Sequence, residues 1–143
     1  MTISQLSIFA ENKPGALIEI IEALGNAGID IRAMSIADTS DFGIMRLIVN
    51  DVEKAKKTLD DIGCIVSETP VIAAAISDRP GALTTIMKLL ADNNINIEYM
   101  YAFITISKQY AYTVLRVEDN DRAGEILTQN GIKLVTKKDI ENL

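Results

Sequence analysis

The chain has no histidine, no tryptophan, three prolines and a single cysteine in 143 residues. Each absence removes chemistry. A Ser-His-Asp triad and a Cys-His dyad cannot be assembled within one chain. A cysteine- or histidine-based zinc site has too few ligands. An intramolecular disulfide needs a second partner for Cys64, so nothing asks for an oxidising compartment. Positive charge is also in short supply: 14 Lys and Arg against 20 Asp and Glu give a net charge of −6. Binding to a phosphate backbone rests on clustered positive charge, so nucleic acid is not expected as a partner. The longest basic run, Lys54-Ala55-Lys56-Lys57, sits in a helical pattern followed by Asp60 and Asp61 and reads as a solvated helix face. The N-terminus has neither a basic region nor a long apolar core, and no window holds the roughly 20 apolar residues of a transmembrane helix. These features lead to the expectation of a soluble, cytoplasmic protein with no membrane partner. Carboxylate catalysis and oxygen-ligand metal sites stay open. The aspartate pairs Asp38/Asp41 and Asp119/Asp121 match no calcium-loop spacing and read as turn chemistry.

What is present is a repeat. Glu11-Asn12-Lys13-Pro14-Gly15-Ala16-Leu17 returns as Ser77-Asp78-Arg79-Pro80-Gly81-Ala82-Leu83, an offset of 66. Leu17, Ile20, Ile21 and Leu24 become Leu83, Ile86, Met87 and Leu90, and Gly28-Ile29-Asp30-Ile31 becomes Asn94-Ile95-Asn96-Ile97. The offset then widens to 68, matching Val49, Asp51, Ala55, Leu59 and Gly63 with Val117, Asp119, Ala123, Leu127 and Gly131. One unit of about 70 residues is written twice. The joint falls near Thr69-Pro70, dividing the chain into domains 1–69 and 70–143.

Each copy parses alike. Residues 2–10 alternate as a strand. Lys13-Pro14-Gly15 breaks it, with Pro14 expected at the first helical position. Leu17, Ile20, Ile21 and Leu24 make one face of a helix that stops at Gly28. Strands follow at 29–37 and 44–49, separated by a turn at 38–43. A helix capped by Asn50 or Asp51 runs to about Ile62, and 64–67 is a short fourth strand. The second copy gives strands at 71–76, 95–107, 110–118 and 132–135 and helices at 81–93 and 121–129. The tail from Lys137 is polar and reads as frayed or as a short last helix. The order is β-α-β-β-α-β twice. This is the split-βαβ, ferredoxin-like unit, whose right-handed crossovers put both helices on one face of an antiparallel sheet. The fold class is α+β, with eight strands and four helices expected. The other face would carry Ile44, Arg46, Ile48, Tyr112, Val114 and Arg116. It is too apolar for plain exposure, so a homodimer is expected, packing sheet on sheet or by a mixture of edge pairing and face pairing.

The chemistry-bearing element is the Asx-x-Pro-Gly-Ala-Leu turn. It stands where a strand hands over to a helix, where the first amides lack intrahelical acceptors and the dipole favours an anion. Gly15 and Gly81 remove a Cβ where a ligand would approach the backbone. Asn12 or Asp78 could accept from an ammonium. Together these groups suit a free α-amino acid, although Asx before Pro-Gly is equally an ordinary helix start. Arg46 and Arg116 could hold a carboxylate, but a strand arginine paired with Asp or Glu is the commoner arrangement. Tyr99, Tyr101 and Phe103 alternate on one strand. Stacking of bases there would need the missing positive charge, so a core or interface role is preferred. Cys64 reads as a small buried hydrophobe.

With those motifs in place, the sequence resembles tandem ACT-domain proteins across residues 3–134. Ala37-Asp38-Thr39-Ser40-Asp41-Phe42-Gly43-Ile44-Met45-Arg46 and Ile97-Glu98-Tyr99-Met100-Tyr101-Ala102-Phe103 are similar to free-standing two-domain members. The resemblance implies ACT units paired side by side into one eight-stranded sheet, with an amino acid held between paired domains. Carried onto this chain, Asn12, Gly15, Ala16 and Leu17 would face the strand at 95–99, including Ile97, Glu98 and Tyr99. Asp78, Gly81, Ala82 and Leu83 would face 29–33, including Ile31. Asn12 is neutral where Asp78 is charged, so the two sites need not bind equally. The resemblance implies a non-catalytic regulatory protein without cofactor or metal, acting on a separate metabolic enzyme or regulator. The alternatives are an oligomerisation or adaptor module with vacant sites and, behind it, a small acyl-phosphate hydrolase on the same scaffold.

Overall fold

A computed structural model describes residues 1–38, 41–105 and 110–143. The elements run β1 (Ile3–Glu11), α1 (Ala16–Asn26), β2 (Ile31–Asp38), β3 (Phe42–Val49), α2 (Val52–Asp61), β4 (Val66–Ser77), α3 (Ala82–Asp92), β5 (Ile97–Ala102), β6 (Tyr110–Val117), α4 (Asn120–Gln129), β7 (Lys133–Leu134) and α5 (Lys137–Asn142). Two ferredoxin-like units are present, as the repeat requires. Residues 39–40 of the first expected turn, and residues 106–107 at the end of the strand expected over 95–107, lie outside the described residues.

The sheet has seven strands, in the order β2-β3-β1-β4-β6-β5, with β7 also on β4. Seven replace the expected eight because β4 serves both units. Its first half pairs antiparallel with β1, from Val66 against Ile8 to Val71 against Ile3. Its second half pairs with β6, from Ile72 against Leu115 to Ser77 against Tyr110. No turn residue separates the halves: Glu68-Thr69-Pro70-Val71 favours extended backbone, and the position before proline is itself held there. Pro70 still pairs with Ser4 of β1, and the change of neighbour follows just after it, between Val71 and Ile72.

Alternation along β4 places all four long helices on one face. Leu6, Ile8, Met45 and Leu47 meet Ile20 and Leu24 of α1 and Ala55 and Leu59 of α2 in one core. Ile72, Ala74, Leu115 and Val117 meet Ile86, Leu90, Ala123 and Leu127 in its counterpart. The helix faces match expectation at these positions, but Leu17 and Leu83 stand exposed on the first turns.

The opposite face differs from the sheet-on-sheet expectation. The sheet curls, bringing its two edge strands together: Ala33 bridges to Phe103, and the amides of Ile104 and Thr105 donate to Arg32 O at 2.8 and 3.3 Å. Ile3, Ala33, Ile48, Val71, Ala73 and Val114 thereby form a third core inside the curl. Two of the residues expected to await a second copy, Ile48 and Val114, are thus buried within one chain, while Ile44, Arg46, Tyr112 and Arg116 are only partly covered. The fifth helix, α5, completes this core with Ile140, and Leu143 packs beside it. α5 is fixed by a capping box between Thr136 and Asp139. Buried Arg32, paired with Asp30, donates to its Ile140 carbonyl at 3.0 Å.

Candidate functional site

The two Pro-Gly loops have the same local build. Gly15 has φ 88° and ψ −15°, and Gly81 has φ 81° and ψ −4°. Ala16 N–H donates to Lys13 O at 3.3 Å, and Ala82 N–H to Arg79 O at 3.2 Å. Proline followed by a left-handed glycine, closed by such a bond, is a type II turn. This corrects the sequence expectation: Pro14 is not the first helical residue but the turn's second, and the helix begins after Gly15. A glycine at positive φ cannot belong to the helix, so it becomes the cap. An added Cβ on either glycine would touch nothing within 4 Å, so the requirement is conformational rather than steric.

Around the first loop lies an open cavity of about 530 Å³. Gly15 and Ala16 form one side, Phe9, Phe42, Ile62 and Ile65 give apolar walls, and Glu19 and Cys64 stand within it. Burial and the nearby Glu19 push the Cys64 thiol above its ordinary pKa. Glu11 and Lys13 form an ion pair of 3.0 Å, which raises the lysine pKa. The residues lining this cavity all come from the first unit. Asn12, beside it, has its backbone amide on Asp41 O at 3.1 Å.

The other expected site residues are placed as follows. Asp78, Gly81 and Leu83 are exposed and Ala82 is buried, all at the far end of β4 from the first loop. The two loops are separated by the length of that strand, roughly 36 Å at 3.3 Å per residue. Ile31 packs under α1 and α2. Ile97 packs in the second helix-covered core. Glu98 faces Arg116 at 3.5 Å, so that strand arginine takes the expected carboxylate partner, within the same chain. Tyr99 turns into the curl.

There the sequence reading had missed a cluster. Gln5, fully buried, donates to Tyr99 Oη at 2.8 Å and accepts from Tyr101 Oη at 2.6 Å. The Arg46 guanidinium sits 3.9 Å from the centre of the Tyr99 ring. Burial, then the neighbouring Tyr99, drive the Tyr101 pKa far above the ordinary phenol value. The cluster ties β1 and β3 of one unit to β5 of the other. Among the described residues, no three His, Cys, Asp or Glu side chains converge as a metal-ligand group. No described helix is long and apolar enough to cross a membrane.

Comparison with known proteins agrees with the architecture. A crystallised protein from Bacteroides thetaiotaomicron superposes with a TM-score of 0.92 at 37% identity, over 100% of this chain and 98% of its own. The regulatory subunit of aspartate kinase from Thermus thermophilus shares the fold with a TM-score of 0.61 at 15% identity, over 88% of this chain and 90% of its own. The corresponding subunit from Thermus flavus gives 0.59 at 18%, with the same coverage. No curated protein matches the chain by sequence. The family model described as an ACT domain pair matches residues 1–143. Two fused βαββαβ units that share β4, each with a Pro-Gly turn before its first helix, belong to a chain that is a member of the ACT domain pair family.

Proposed function

We propose that this protein is a non-catalytic regulatory module that binds a free amino acid at its Pro-Gly loops and passes the signal to a separate protein. The observation that carries the reading is the first loop: a left-handed glycine opens a helix onto a cavity of about 530 Å³ with both charged and apolar lining. Ala16 N–H and Glu19 N–H already have acceptors in Lys13 O and Gly15 O. The intervening amides, those of Leu17 and Ile18, belong to the set a helix start leaves for an outside acceptor. A ligand carboxylate suits them, aided by the helix dipole. Glu19, in the cavity lining, and Asn12, between Glu11 and Lys13 of that lining, are the candidates for an ammonium, and Phe9, Phe42, Ile62 and Ile65 would hold an apolar side chain. In the second unit, Ala75, Tyr110, Asn130 and Lys133 occupy the positions of those four walls, so the second loop offers a different setting to Asp78, Gly81, Ala82 and Leu83.

The fold likeness to regulatory subunits of aspartate kinase supports a regulatory role. A ligand shifts a conformational balance only through different affinity for the two states. For this chain, the balance proposed is between arrangements of the first loop against its protein partner, and the partner is a separate metabolic enzyme or regulator. The test is thermal unfolding of the whole chain with each common amino acid at millimolar concentration. A ligand of the native state raises the midpoint by mass action. One amino acid, or a small related group, is expected to raise it by several degrees, with the shift reduced in Asn12→Ala. If none shifts the midpoint, the loops are vacant and the adaptor reading takes over.

A further inference from the structure

The register of the sheet lines up residues that are far apart in sequence. On the inner, concave face of the first unit, Ser35 lies opposite Arg46, Arg46 opposite Ser7, and Ser7 opposite Ser67. This makes one row across β2, β3, β1 and β4 with a cation and three hydroxyls. Two residues further out the next row is Ala37, Ile44 and Phe9, continued by Ile65, whose carbonyl accepts the Phe9 amide at 3.2 Å. That second row is apolar, with Phe9 49% and Ile65 70% exposed.

The second unit shows what this place looks like when it is closed. The repeat turns the first row into Tyr101, Val114, Ala73 and Val135, paired in the same order. These four pack in the inner core under Ile140 of α5. Polar residues replace apolar ones at three of the four positions, and Ser35 stands for Tyr101. The first unit has no helix equivalent to α5 over its row. Its row was therefore not built to be covered by an apolar helix.

Arg46 is half-buried and held over Tyr99, whose hydroxyl is fixed by Gln5. Among the described residues, no carboxylate pairs with it. A guanidinium engaged through a π face keeps N–H donors for an anion, and a carboxylate matches its fork. Glu11, two residues beyond Phe9 on the strand, is taken by Lys13, so no carboxylate in either row receives an ammonium.

We propose that this concave face is a second ligand site, centred on Arg46 and adjoining the loop cavity at Phe9 and Ile65, for a small monoanionic carboxylate with an apolar body and no ammonium group. The carboxylate lies on Arg46 between the hydroxyls of Ser7, Ser35 and Ser67. The body lies along Ile44, Phe9 and Ile65.

Titration calorimetry of the whole chain at low salt tests this, with 4-methyl-2-oxopentanoate, leucine and inorganic phosphate as separate probes. The oxo acid is expected to bind once per chain. Arg46→Met weakens it at least tenfold, and Arg46→Lys, which keeps the charge and loses the fork, weakens it less. Ser67→Val, which installs the second unit's residue at an exposed position, weakens it about threefold and keeps the proposal testable if Arg46→Met fails to fold. Any leucine heat belongs to the loops and is unchanged in Arg46→Met. Absence of saturable oxo-acid heat overturns the proposal. So does oxo-acid binding indifferent to Arg46 and Ser67, equal binding of phosphate, or a dimer in sedimentation that Arg46→Met dissociates, which would give the face to a second copy.

Discussion

At the scale of single residues, the two turn glycines and Gln5 carry distinct costs. Gly15→Ala and Gly81→Ala each force a side chain into left-handed backbone with open space around it. Each is expected to lower stability by about 1 kcal/mol, the penalty of that conformation for an L-residue. Equal losses in the two variants, read from urea midpoints, would confirm a backbone origin; a loss at one loop alone would refute it. Gln5→Ala is a different kind of defect, because it leaves two tyrosine hydroxyls inside the curl without their partner. Its expected cost is about 1–3 kcal/mol. Cys64 gives a chemical readout: with its thiol pKa raised, it is expected to react slowly with a disulfide reagent at pH 7 and faster as pH passes the ordinary thiol value. The loops were legible in the sequence because Pro-Gly carries its own conformational instruction. The Gln5–Tyr99–Arg46 cluster was not, because its members lie on different units and meet only when the sheet curls. One signal did exist: aligned at offsets of 66 and 68, Gln5, Ser7, Arg46 and Ser67 stand against Val71, Ala73, Val114 and Val135. Polar-for-apolar exchange at four strand positions on one face is what a covered and an uncovered copy would leave.

At the scale of elements, α5 is the part whose role the sequence hid. Lys137-Lys138-Asp139-Ile140-Glu141-Asn142 reads as polar, and only one residue in it, Ile140, is buried. Its structure rests on local chemistry instead: the Thr136–Asp139 capping box and the Arg32 bonds to its last carbonyls. The backbone N–H of Thr136, and then its hydroxyl, hold the Asp139 carboxyl below its usual pKa. A carboxylate with a lowered folded pKa stabilises fully above its unfolded value, about 4, and loses that contribution as pH falls through the folded value. The group is partly exposed, so solvent screening keeps the global effect small. The local effect is measurable. Hydrogen-exchange protection factors in α5 are expected to fall between pH 5 and pH 2.5 while those in the middle of β4 hold. Parallel loss in both would show that α5 does not open as a separate unit.

At the scale of the whole molecule, the question is whether a repeat written twice makes two folding units. The duplicated pattern made both βαββαβ units legible, since each helix and strand follows from local periodicity. It did not reveal the fusion of strands 64–67 and 71–76 into β4, because nothing local forbids a turn at Thr69-Pro70. Nor did it reveal the curl, which depends on edges more than 60 residues apart, Ala33 and Phe103. Those two features decide the energetics. Dividing the chain at 69/70 would cut a 12-residue strand and open the core formed by Ile3, Ala33, Ile48, Val71, Ala73 and Val114. Units of about 70 residues have little core to spare. The two domains are therefore proposed to be structural repeats within one cooperative unit. Urea unfolding is expected to show a single transition, with circular dichroism and tyrosine fluorescence coincident. All four tyrosines lie in the second unit, but Tyr99 and Tyr101 touch Gln5 and Arg46 of the first, so the measurement is made in a Tyr99→Phe/Tyr101→Phe background, where the fluorescence of Tyr110 and Tyr112 reports the second half. A first-unit variant such as Leu24→Ala, which empties a fully buried site, is expected to cost about 2–5 kcal/mol and to lower the fluorescence midpoint by as much as the circular-dichroism midpoint. If the fluorescence midpoint stayed in place, the second unit would be folding by itself, and β4 would be a shared strand without being a shared fate.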